Sequence, residues 1–93
     1  MILLTTQQAI EVVPRVSLVE MYEDKPHRRV LFRDFVANEF FLYFQNNVGK
    51  ERSLHGMVRL QGEEQQHWRT LSLPSGFQNC LASDGEAHFS ESR

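Results

Sequence analysis

Six large aromatic rings fall within the thirteen residues from Phe32 to Phe44. Any fold this chain adopts must bury most of them, because each ring removes a large apolar area from water. Phe32, Phe35, Val36, Phe40, Tyr43 and Phe44 recur at spacings of three, one, four, three and one, which suits the stripe of one face of an α-helix. Asn46, Asn47 and Gly49 follow where such a helix would stop. One long helix over 28–47 is therefore the leading expectation. The rival is a pair of strands, since Phe40–Phe44 (FFLYF) has high β propensity and suits a strand buried on both faces.

The flanking segments carry clearer local signals. Thr5 followed three residues later by Gln8 has the form of a capping box and starts a short helix carrying Ala9, Ile10 and Val13, which Pro14 ends. Residues 15–22 interleave Val16, Leu18 and Tyr22 with polar neighbours and read as a strand, although Ser17 with Glu20 is a second capping-box pattern. Residues 23–27 contain Pro26 and read as a turn. Residues 55–61 and 67–73 alternate in character around the polar segment 62–66, which predicts a hairpin. Beyond Pro74 the chain is rich in Ser, Gly, Asp and Glu. Phe77, Cys80 and Leu81 are expected to dock as a last helical turn, and 84–93 to form a loose tail. The expected architecture is α+β: one domain over 1–83, with a small antiparallel sheet packed against the aromatic helix and a short N-terminal helix.

A 93-residue chain supports one core and is marginal as a monomer, so self-association, most simply a homodimer, is expected. Ten basic and twelve acidic residues give a net charge of -2. That balance argues against a dedicated nucleic-acid binder. A single cysteine, Cys80, excludes an intramolecular disulfide and favours a reducing compartment. The apolar run Met1–Leu4 is too short for a signal peptide or a membrane span, so a soluble cytoplasmic protein is expected.

Three sets of residues carry functional expectations. Phe41 and Leu42 fall off the main helical face, and with Trp68 they suit a hydrophobic interface with a second copy or a protein partner. Arg28, Arg29 and Arg33, preceded by Lys25 and His27, form the basic cluster, whose guanidinium forks suit phosphate or carboxylate. His27, His55, His67 and His88 have no sequence neighbour that would orient a general base, while Asp24, Asp34 and Glu39 supply carboxylates that a fold could bring together. No metal-ligand spacing, phosphate loop or dinucleotide fingerprint occurs, and no cofactor is implied.

Arg29-Val30-Leu31-Phe32-Arg33 has the form R-x-x-x-R. Glu51-Arg52-Ser53-Leu54-His55-Gly56 has Ser and Gly at the spacing S-x-x-G, followed by the strand-like Met57–Leu60. Over these eleven residues the chain resembles PilZ domains, whose second element begins with Asp or Asn where this sequence has Glu51. The resemblance implies a cyclic-dinucleotide sensor on a six-stranded barrel, with Arg29 and Arg33 on a flexible entry segment gripping the ligand and Ser53 and Gly56 lining its site. His55, within the second element, joins the candidate ligand set. A non-enzymatic interaction module is thus the first functional expectation, an anion or cyclic-dinucleotide sensor the second, and a small hydrolase or nuclease the third.

Overall fold

The aromatic segment forms two strands rather than a helix. In a computed structural model of the chain, which describes residues 1–47 and 53–74, β1 (Ile2–Leu3) precedes a short helix α1 (Thr6–Val12) and a 3₁₀ turn (Val13–Arg15). Then come β2 (Ser17–Asp24), β3 (His27–Asp34), β4 (Glu39–Asn47) and β5 (Ser53–Leu60), and a second 3₁₀ turn at Gly62–Gln66. The strands form one antiparallel sheet in the order β1-β5-β4-β3-β2.

The long helix fails for a local reason. Asp34 Oδ1 accepts from the backbone N–H groups of Val36 and Ala37, both at 3.0 Å. Asn38 takes the left-handed conformation at φ 57°, which Asn tolerates better than most residues. These two side chains turn the backbone within the proposed helix and send β4 back along β3, pairing Asp34 with Glu39 and Phe32 with Phe41. The helical spacing of three and four is accidental. Phe35 lies in the turn and is 61% exposed, while Val36 is 99% exposed.

An aromatic run serves β4 because both faces of this central strand are covered. Phe41 and Tyr43 point to one face, with Val30, Phe32 and Met57, and pack beneath Leu4, Ala9 and Val12 of the N-terminal segment. Leu42 and Phe44 point to the other face, with Leu31, Val58 and Leu60, where Trp68, Leu71 and Leu73 cover them. Strand alternation thus divides adjacent rings between two cores.

The second half of the expected hairpin is also corrected. Residues 55–60 belong to β5, but 67–73 form no strand. Gln61 and Glu64 make a reciprocal capping box that starts the 3₁₀ turn, and Trp68 then enters the core of the second face. Its apolar residues serve as a lid over a sheet face.

The N-terminal helix matches its sequence signal. Gln8 N–H donates to Thr5 Oγ1 at 3.1 Å and Thr5 N–H donates to Gln8 Oε1 at 2.8 Å. The 3₁₀ turn at Val13–Arg15 takes over at Pro14, and Ala9 with Val12 forms the buried stripe. β2 is a strand as expected, displaced two residues toward the C-terminus. The expected last helical turn at Phe77, Cys80 and Leu81, the domain end at 83 and the tail at 84–93 lie outside the described residues.

Candidate functional site

β3 places the three arginines in two different settings. Register pairs Arg28 with Gln45, Arg29 with Phe44 and Arg33 with Phe40. Arg29 and Arg33 share the face of Leu31, whereas Arg28 points to the other. Four residues of strand separate Arg29 from Arg33 by about 13 Å. The structure therefore places Arg28 and Arg29 on opposite faces at one end of the hairpin and leaves Arg33 at the other end.

Arg33 is occupied by its own hairpin. Its guanidinium lies 4.7 Å from the Phe35 ring centroid and 4.9 Å from that of Phe40, and its Nη2 donates to Asn38 Oδ1. Stacking on two rings holds a cation well but leaves Nε buried without a hydrogen-bond partner.

Arg29 ties the lid to the sheet. Its Nη1 donates to the carbonyl oxygens of Trp68 at 2.9 Å and Leu71 at 2.7 Å. Burial pushes its pKa below the ordinary value, and the neighbouring Tyr22 acts in the opposite direction. Beside it, a cavity of about 440 Å³ is lined by His27, Arg28, Arg29, Phe44, Gln45, Asn46, Ser72 and Leu73. Register explains the grouping, because His27 lies opposite Asn46 and Arg28 opposite Gln45. Gln45, Asn46 and Ser72 are not among the site residues expected from the sequence. Reading 28–47 as a hairpin turning at Asp34–Asn38 would have paired the first two with the arginines.

Of the remaining candidate ligand residues, Ser53 begins β5 opposite Asn47, and His55 lies opposite Gln45. His55 is 1% exposed, its ring centroid 6.2 Å from that of Tyr43. The R-x-x-x-R element occupies the middle of a paired strand, and the described strands form an open sheet rather than a barrel. Glu51 lies outside the described residues.

Phe41, Leu42 and Trp68 are all buried and belong to the two cores. Packing uses their apolar surface, so they offer none to a partner. The large exposed apolar side chains lie elsewhere. Ile2 is on β1, Leu18, Val19, Met21 and Tyr22 are on β2, and Phe35 and Val36 are at the β3–β4 turn.

Among the described residues the histidines and carboxylates do not form one constellation, and His88 lies outside the described residues. His27 opens β3, His55 is in the interior of β5, and His67 follows the second 3₁₀ turn. Asp34 is held by two backbone amides and lies 3.7 Å from Arg15, while Glu39 lies 3.7 Å from Arg59. An open cavity of about 600 Å³ adjoins Arg15, Asp34, Val36, Ala37 and Glu39. Asp24 ends β2 at the far end of the sheet. Among the described residues no group of three or more His, Cys, Asp or Glu side chains is placed to hold a metal ion, and no helix is long and apolar enough to cross a membrane. No family model, curated protein or solved structure matches this chain.

Proposed function

We propose that this chain is a non-enzymatic interaction module that self-associates through β2. The observation that carries this reading is the state of that strand. All eight residues of Ser17–Asp24 are exposed, and β2 ends the sheet with β3 on one side and no strand among the described residues on the other. An edge strand presents unpaired backbone donors and acceptors, and proteins usually guard it with charge, bulges or cover. Here two guards are present, the charges of Glu20, Glu23 and Asp24 and a bulge. The register with β3 shifts between Leu18 and Glu20, leaving Val19 as a bulge, which adds local twist and disfavours open-ended stacking of strands.

The sequence of β2 is suited to a second copy. Leu18 pairs with Phe32 and Met21 with Val30 across the β2–β3 ladder, so both stand on the face capped by α1. They are 51% and 46% exposed. Antiparallel pairing of two β2 strands about a two-fold axis between Val19 and Glu20 would set Leu18 of each copy against Met21 of the other. The same register sets Asp24 opposite Arg15 and keeps the acidic residues of the two strands apart. This is an isologous, closed contact, and it would supply the burial that a small monomer lacks.

Sedimentation equilibrium over a wide concentration range tests the proposal. The wild type is expected to form dimers that Met21→Lys dissociates, with thermal stability nearly unchanged when the two are compared at concentrations too low for association, because an exposed site is altered. A wild type that remains monomeric throughout would sink it.

A further inference from the structure

We propose that Met21 is a peroxide-sensitive switch on the β2 edge: oxidation of its thioether to the sulfoxide separates the associated copies. The inference rests on the self-association through β2 proposed above and supplies its regulation.

Exposure singles out this methionine. The chain has three. Met57 is 1% exposed in the core beneath the N-terminal segment, and Met1 packs against the core of the second sheet face. Met21 stands on the edge strand and is 46% exposed. A thioether reacts where an oxidant can reach its sulfur lone pair, so peroxide attacks Met21 before Met57. In that step the sulfur takes one oxygen of the hydroperoxide as the O–O bond breaks and an S–O bond forms. Sulfur is oxidised by two electrons and the peroxide is reduced, its other oxygen leaving as water with both hydrogens when the oxidant is hydrogen peroxide.

The product is unsuited to the contact that Met21 makes in the proposed dimer. Met21 pairs with Val30 and Leu18 with Phe32 in the β2–β3 ladder, and the two-fold register sets Met21 against Leu18 of the other copy. A methionine side chain is flexible and apolar and fills space beside a leucine well. The sulfoxide carries a strong dipole and an oxygen acceptor, for which a leucine side chain has no donor, so burying it forfeits hydrogen bonds to water. Two-fold symmetry applies that cost twice in each dimer. The monomer keeps its fold, because Met21 is exposed there and its sulfoxide stays hydrated. Association also shields the sulfur, so oxidation proceeds through the dissociated chain and slows as the protein is concentrated.

Hydrogen peroxide is the probe, applied to the full chain, with peptide mass spectrometry to locate the added oxygen and sedimentation equilibrium to read association. In dilute protein Met21 should gain one oxygen at least about tenfold faster than Met57, and the rate at Met21 should fall as concentration rises through the dimer range. The oxidised chain should show a dissociation constant raised at least about tenfold, with its unfolding temperature in dilute solution unchanged. Reduction by methionine sulfoxide reductases of both epimer specificities should restore the dimer. Met21→Leu, whatever its own dissociation constant, should show the same value before and after peroxide, although it retains Met1, Met57 and Cys80 as targets. Equal dissociation constants for the reduced and oxidised wild type, or equal sensitivity of Met21→Leu to peroxide, would overturn the switch while leaving self-association in place. A wild type that is monomeric before any peroxide is added overturns self-association itself, and the switch with it.

Discussion

Arg29 Nη1 donates to the carbonyl oxygen of Trp68 at 2.9 Å, joining β3 to a residue 39 positions later in the chain. A second bond to Leu71 at 2.7 Å makes the guanidinium a clamp on the lid. Removing it leaves two partly buried carbonyls without a charged donor and frees the segment that seats Trp68. Arg29→Met is expected to cost about 2 kcal/mol. Trp68 emission should shift to the red in the folded state. Unchanged emission and stability would show that apolar contact alone holds the lid.

Leu42 is fully buried in the core of the second sheet face. Leu42→Ala should therefore destabilise the fold by about 2–5 kcal/mol, the usual range for a buried leucine. Under conditions where the variant remains folded, its association should match the wild type. A variant of normal stability that no longer dimerises would return Leu42 to the interface.

This contrast shows how much the sequence disclosed and where it stopped. The capping box at Thr5 and Gln8 was legible because it is local: its donors and acceptors lie three residues apart. The strand character of 15–22 and the end of α1 at Pro14 were legible for the same reason. The hairpin of β3 and β4 was not, because an aromatic strand covered on both faces has no alternation to distinguish it from a helix, and the decisive signal was the pair Asp34 and Asn38 in the turn. Loss of that turn also hid the cavity, whose Gln45 and Asn46 meet Arg28 and His27 only through strand register. The lid was misread because Trp68, Leu71 and Leu73 alternate like a strand while packing as a covering loop.

The cap of α1 gives a local test. Thr5 Oγ1 accepts from the Gln8 amide, so Thr5→Ala should lower stability by about 1 kcal/mol. Thr5→Ser should retain most of it, as measured by urea unfolding. Equal losses in the two variants would mean that the threonine methyl group, and not the hydroxyl, is what matters.

Glu64 confers a pH dependence. The hydrogen bond from the Met1 amine and the one from the Gln61 backbone amide hold its carboxyl below the ordinary value of 4.5, against a smaller opposing effect of burial. A carboxyl with a depressed folded-state pKa stabilises the fold above its ordinary pKa and loses that contribution as pH falls through the folded value. Stability should therefore decline below about pH 4.5 more steeply in the wild type than in Glu64→Gln. Parallel pH profiles for the two proteins would contradict this assignment.

Hydrogen exchange at the β2 amides, followed from dilute to concentrated protein, addresses the association most directly. Amides of Ser17–Asp24 alternate between those directed at β3 and those directed away from it. Self-association through this edge requires the outward set to gain protection as concentration rises while exchange in the interior of β4 stays the same. Outward amides that exchange rapidly at every concentration would contradict the account.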